Sequence, residues 1–298
     1  MRERILGKSG LRCSALGLGC GPLGELKAAE AELLVHTALD LGVTLFDCAR
    51  SYDQAEAHLG RALRSWRGHK VVVTKGGYGV PGVPDWTPQA VEKGIELALE
   101  NLGSVDVFLL HSCDRERLAR GDLFEPLLDA KQAGKVGAVG YAGDGAALEL
   151  AVECGVFDVI ECSVNLFDQR ALGTTLPKAK ARNLGVIAKR ALGHAPWRDS
   201  QRPDRFDAAL YWDRMQKMFV PPTDGAQELD SAARAWTELA VRFATFAPGV
   251  DSALVGTRLP VHLAAAVEAA ERGPLAEAQA HEVRERFTRS DSGWEGVV

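Results

Sequence analysis

Asp47, Tyr52, Lys75 and His111 stand at or just after the ends of three successive β-like runs. Asp47 closes the apolar run that starts at Val43, and Tyr52 follows five residues later, where the chain turns into the next helix. Lys75 closes the run from Val71 to Thr74, and His111 the run from Val105 to Leu110. A carboxylate, a phenol, an ammonium and an imidazole converging on one rim suggest general acid catalysis on a carbonyl. Each residue alone also has a plainer reading. Asp47 can cap a turn, Tyr52 can be a half-buried aromatic with a wet hydroxyl, and His111 can be structural. Lys75 can be a Schiff-base lysine.

The elements that must position these groups alternate along the chain. Eight candidate strands are Ser14–Cys20, Val43–Asp47, Lys70–Lys75, Val105–His111, Val136–Gly140, Phe157–Ser163, Gly185–Lys189 and Val250–Val255. Most are continuous apolar runs, as strands covered on both faces should be. Helical patterns lie between them. In Thr87–Leu102 a stripe runs through Val91, Ile95, Ala98, Leu99 and Leu102, and in Ala29–Leu41 through Leu33, Leu34, Ala38 and Leu41. Thr87-Pro88 reads as a helix start, and Gly103, Gly134 and Gly155 as stops. Eight such units predict a (β/α)8 TIM barrel filling residues 1–298 as a single domain, with its chemistry at the C-terminal ends of the strands. An open doubly wound sheet is the alternative, but Gly17-Leu18-Gly19-Cys20-Gly21 lacks the G-x-G-x-x-G spacing that it needs.

Residues 4–11 read as an N-terminal β-hairpin plugging the lower mouth of the barrel. The segment Ala191–Gln227 is long for a loop on the catalytic face, and Phe206, Leu210, Met215 and Phe219 can share a helix face within it. It is either a substrate or cofactor cover or an added packing element. Pro274–Thr288 reads as a charged helix outside the barrel. Trp86, Trp197, Tyr211, Trp212 and Trp294 can line an apolar mouth or pack.

The composition excludes several classes. The chain has 298 residues, 46% of them hydrophobic and 25% charged, with a net charge of -5. The negative balance argues against nucleic acid as a partner. No apolar stretch is long enough for a membrane span, and the first residues do not resemble a signal peptide. Six cysteines occur without a C-x-x-C pair, which suits reduced thiols in a cytoplasmic protein and neither a metal site nor a disulfide framework. Oligomeric state is left open.

The run from Phe46 to Gly60, FDCARSYDQAEAHLG, resembles the F-D-T-A-x-x-Y-G-x-S-E-x-x-L-G signature of the aldo-keto reductase superfamily, with departures at Cys48, Asp53 and Ala55. Thr74-Lys75, Leu110-His111 and the stretch Lys131–Gly140 match further family motifs, and the likeness runs from about residue 2 to residue 272. The resemblance implies a barrel that binds a nicotinamide cofactor without a Rossmann domain and reduces a carbonyl by direct hydride transfer. It makes Tyr52 the general acid. Lys75 would lower the pKa of the phenol, Asp47 would hold Lys75, and His111 would orient the carbonyl.

The same resemblance gives the cofactor candidates. Gly19, Cys20 and Gly21 end the first strand. After the fifth strand the family's Ser-Asn pair for the carboxamide is replaced by Ala142 and Gly143, which leaves Asp144 as a substitute. Glu161 falls near the family's glutamine. Lys189 stands where an aromatic often stacks on the nicotinamide, and a rim pair with Glu161 is its other reading; Arg190 and Leu192 follow it. Gly256, Thr257, Arg258 and His262 resemble the phosphate and adenine loop, where Arg258 favours NADP(H), with NAD(H) possible. The expected function is NADPH-dependent reduction of a small-molecule aldehyde or ketone. The alternatives are a nicotinamide-binding regulatory barrel with little turnover and a Schiff-base lyase acting through Lys75.

Overall fold

The computed structural model describes residues 1–219 and 229–296. It is a (β/α)8 TIM barrel preceded by an antiparallel hairpin. The hairpin pairs β1 (Glu3–Ile5) with β2 (Arg12–Ser14). Eight parallel strands close the barrel: β3 (Leu16–Gly19), β4 (Leu45–Asp47), β5 (Val71–Gly76), β6 (Val105–His111), β7 (Val136–Ala142), β8 (Val159–Ser163), β9 (Gly185–Lys189) and β10 (Ser252–Val255), with β10 pairing back onto β3. All eight predicted strands are present.

Strand alternation sorts the apolar residues into two layers. Leu45, Val71, Val73, Val107, Leu109, Ala138, Val159, Ile187 and Leu254 fill the barrel interior. Phe46, Val72, Phe108, Leu110, Val139, Ile160 and Val186 face the helices. The same period of two carries Asp47, Lys75, His111, Glu161 and Lys189 onto the inward side, one layer above the apolar plug. Below that plug, Leu6 and Cys13 of the hairpin join the interior cluster. Gly7 lies so close to β9 that a Cβ there would stand 2.1 Å from the Gly185 nitrogen. The hairpin therefore seals the bottom, as expected.

The helix Pro88–Leu102 begins as its sequence dictates, with the Thr87 hydroxyl accepting from the Ala90 amide at 3.1 Å and Pro88 in the first turn. It ends at Gly103, whose φ of 78° an L side chain rarely adopts. In the helix Ala28–Asp40, Leu34, Val35 and Ala38 are buried, but Leu33 is exposed, so the expected stripe is one residue too wide. Within the long segment after β9, the helix Phe206–Met218 buries Tyr211, Arg214, Met215 and Met218. Phe206 points to solvent instead of sharing that face. Residues 220–227 of the segment, and Val297 and Val298 of the tail, lie outside the described residues. The last helix is Glu277–Ser290. No helix among the described residues is long and apolar enough to cross a membrane.

Candidate active site

Lys75 is the centre of the rim. It is buried, and its ammonium donates to Asp47 Oδ1 at 2.5 Å and to the Cys48 carbonyl at 3.0 Å. A second carboxylate, Glu161 from β8, stands 3.4 Å away. The Tyr52 ring lies with its centroid 5.4 Å from the same nitrogen. His111 meets Tyr52 edge-on, the rings 5.9 Å apart. The structure thus brings together all four residues of the expected tetrad.

The charges settle two questions. Burial disfavours the Lys75 ammonium, but Asp47, Glu161 and Tyr52 outweigh it and hold the ammonium charged well above its usual range. A lysine so held is a poor nucleophile, which opposes the Schiff-base reading. Tyr52 corrects an expectation. Lys75 pulls its pKa down and is the largest single influence. Burial together with Asp47, Glu161 and Cys48 outweighs that pull, and the phenol is pushed up to about 12. Asp47 is raised well above the carboxylate range, by burial first and then by Glu161. His111 is lowered to about 2 by burial, with Lys75, Lys189 and Arg190 adding to it, so its imidazole is neutral.

Tyr78 is a site residue that the sequence reading missed. It lies just beyond β5, and its hydroxyl is 3.1 Å from both His111 Nδ1 and Ser51 Oγ. Its ring bridges His111, at 5.5 Å, and Trp86, at 5.3 Å. Trp86 therefore does border the rim. By contrast Tyr211 packs on Phe167, Trp197 stacks on Trp236, and Trp294 lies against Phe287.

Among the cofactor candidates the pairing differs from expectation. Lys189 is bound to Asp144 Oδ2 at 2.9 Å rather than to Glu161, because Glu161 is drawn to Lys75. Asp144 also accepts from the Ser163 amide at 2.8 Å and hydroxyl at 3.0 Å, and Gly296 of the tail packs against it. Ala142 is buried in register between His111 and Glu161. Arg258 forms an exposed ion pair with Glu25, from the turn after β3. The Thr257 hydroxyl accepts from the Leu259 amide at 3.1 Å, and His262 lies 3.4 Å from Arg198. Gly19 and Gly256 bring the tips of β3 and β10 together: a Cβ on Gly19 would lie 3.5 Å from the Gly256 nitrogen. A Cβ on Gly21 would lie 3.8 Å from the Tyr52 ring. Cys20 is buried, Leu192 packs against the core, and Arg190 adopts a positive φ of 58°.

These residues fit a nicotinamide cofactor at both ends. Glu161 Oε2 and Asn165 Nδ2 are buried without a hydrogen-bond partner, an acceptor and a donor of the kind that a carboxamide can satisfy. At the other end, Gly256, Thr257 and Arg258 precede the helix Pro260–Glu271, a position suited to a phosphate. No cluster of metal-ligating side chains occurs among the described residues.

The model of the aldo/keto reductase family matches residues 15–286. Among curated proteins, the L-galactose dehydrogenase of Arabidopsis thaliana is 28% identical over 85% of this chain and 83% of its own length. The L-glyceraldehyde 3-phosphate reductase of Escherichia coli is 33% identical over 48% of this chain and 45% of its own. Among solved structures, an aldo-keto reductase from Bacillus halodurans superimposes with a TM-score of 0.79 at 21% identity, covering 96% of each chain, a likeness of fold.

Proposed function

The chain belongs to the aldo/keto reductase family of NAD(P)H-dependent oxidoreductases, and from that premise we propose that it reduces an aldehyde or ketone to an alcohol with NADPH, Tyr52 acting as general acid. The observation that carries this reading is the convergence of Tyr52, His111 and the buried Asp47–Lys75 pair on one rim. The cofactor, when bound, supplies the hydride. Tyr52, protonated across the neutral range, gives its proton to the carbonyl oxygen. His111 is neutral and can donate to the same oxygen from Nε2 if Nδ1 accepts from the Tyr78 hydroxyl. Tyr78 thereby holds the His111 ring in place through Nδ1.

NADP(H) is preferred in this reading because Arg258 and the helix start behind it suit a 2′-phosphate. Glu25 would have to release Arg258 for that contact. NAD(H) is accepted more weakly. The names of the relatives support a small hydroxylated aldehyde as substrate. The proposal treats residues 1–298 as one domain working in the cytoplasm, supported by cysteines that are all free. A second reading, a nicotinamide-binding sensor, is favoured by Lys189 being tied to Asp144 where the family has an aromatic. Stopped-flow oxidation of bound NADPH separates the two, since a sensor binds the cofactor and barely oxidises it.

Tyr52→Phe keeps the ring and removes the proton. Turnover on the best carbonyl substrate should fall by about 10²–10⁴-fold, the usual worth of a positioned acid, with NADPH binding retained. Turnover close to wild type would overturn the assignment.

A further inference from the structure

We propose that Glu25 is a specificity-determining residue: its carboxylate holds the Arg258 guanidinium that the 2′-phosphate of NADP(H) must reach, and so limits the preference for NADP(H) over NAD(H). The inference rests on the reading of Arg258 as a 2′-phosphate ligand, and it adds the group that competes for that arginine. Glu25 ends the 3-10 turn Gly21–Glu25, which carries the chain off the tip of β3. The turn is anchored on three sides. Leu23 is buried, and its carbonyl accepts from His58 Nδ1 at 2.9 Å. A Cβ on Gly24 would run into the Tyr52 carbonyl oxygen, so the turn lies directly on the segment that carries the general acid. Pro22 abuts the phosphate loop, since a Cβ on Gly256 would lie 3.4 Å from its ring. Glu25 therefore extends from a fixed base beside the loop after β10, and its carboxylate pairs with the Arg258 guanidinium.

Both side chains of the pair are exposed, so the pair is weak and exchangeable. A 2′-phosphate carries more negative charge than a carboxylate and displaces Glu25 when it binds. Two costs come with that exchange. The ion pair is lost, and the anchored turn keeps the released carboxylate close to the phosphate, which it repels. NAD(H) meets neither cost, because its 2′-hydroxyl is uncharged and can donate to a carboxylate. A repulsive group that acts on one of two related ligands sets specificity without touching the other. The neighbouring polar groups are engaged elsewhere. The Thr257 hydroxyl accepts from the Leu259 amide at 3.1 Å, and His262 stands 3.4 Å from Arg198.

The test is a binding measurement on the full chain. Dissociation constants for NADPH and NADH come from fluorescence titration, and those for 2′,5′-ADP, which carries the phosphate without the nicotinamide, from calorimetry. Glu25→Gln should tighten NADPH and 2′,5′-ADP by about three- to tenfold while NADH stays within about twofold, the scale of an exposed ion pair plus the relief of one repulsion. Glu25→Ala should do the same through a different side chain, so that a defect in one variant leaves the other to decide. In an Arg258→Ala background the gain from Glu25→Gln should shrink to about twofold or less, because the competition is for that guanidinium. Unchanged NADPH affinity in both folded Glu25 variants would overturn the proposal. So would an equal gain for NADH, or a gain that persists at full size without Arg258, since either is a general effect of charge. Failure of the underlying reading shows separately, as an Arg258→Ala protein that loses NADPH and NADH affinity equally.

Discussion

Gly143 stands where the resemblance to the family calls for an asparagine, and Tyr141 leaves no room for that side chain. A Cβ on Gly143 would lie 2.5 Å from the Tyr141 hydroxyl. That hydroxyl donates to the Cys113 carbonyl at 2.7 Å from a buried ring. An asparagine therefore cannot enter without moving Tyr141 and breaking its bond. The obstacle is steric, since the φ of Gly143 lies outside the left-handed range. Ala142→Ser adds a hydroxyl to the apolar interior layer beside Glu161. The double variant Ala142→Ser with Gly143→Asn should thus lose about 1–3 kcal/mol of stability, the usual cost of overpacking, and should not tighten NADPH. Urea unfolding and a fluorescence titration check both halves. Tighter cofactor binding at unchanged stability would mean that Tyr141 yields easily.

At the level of elements, the signature from Phe46 to Gly60 is as much a packing device as a catalytic one. Glu56 is buried and accepts from Thr74 Oγ1 at 2.7 Å and Asn101 Nδ2 at 3.1 Å, so the helix Ala55–Leu63 is tied to β5 and to the helix Pro88–Leu102. Gly60 allows the two helices to touch: a Cβ there would stand 1.9 Å from the Asn101 carbonyl oxygen. Asp53 occupies the glycine position of the signature with a φ of 47°, which aspartate tolerates better than most residues. Gly60→Ala should push the helices apart and cost about 1–3 kcal/mol, visible as a lower thermal midpoint, and it should tilt Tyr52 and reduce turnover as well. An alanine variant with wild-type melting would show that the contact relaxes freely. This is also where the limits of sequence reading show. The eight strands, Thr87-Pro88 and the tetrad were legible because each signal is local: a continuous apolar run, a cap, a fixed spacing. Tyr78 was not, since it lies in the loop after β5, ends no apolar run, and meets Ser51 and His111 only once the barrel has closed. The exchange of Lys189 and Glu161 partners was equally hidden, because it depends on which inward side chains the barrel curvature brings together.

On the scale of the whole molecule, the upper rim is bound to the C-terminal tail through one buried charge cluster. Arg214, from the helix Phe206–Met218, lies 3.7 Å from Asp168. It donates to the Phe167 carbonyl at 3.2 Å and the Glu295 carbonyl at 2.6 Å, and it covers the Trp294 ring. Asp168 is pushed up to about 7, by burial first and by Asp144 next, against the pull of Arg214, Lys189 and the Tyr211 hydroxyl. A carboxyl raised on folding binds its proton more tightly in the native state, so its contribution to stability declines as pH rises from about 4 to about 7. His194 acts oppositely. Burial lowers it to about 4, so the native state resists protonation, and stability declines as pH falls from about 6.5 to 4. Wild-type protein alone would show only the sum. Asp168→Asn isolates the first effect, because His194 is common to both proteins and Arg214 keeps its two carbonyl partners. The variant should gain stability relative to wild type between pH 5 and pH 8, by on the order of 2–4 kcal/mol. Urea unfolding at the two pH values measures the change. An equal difference at both would mean that Asp168 is ionised throughout, with Arg214 meeting the full cost of its burial.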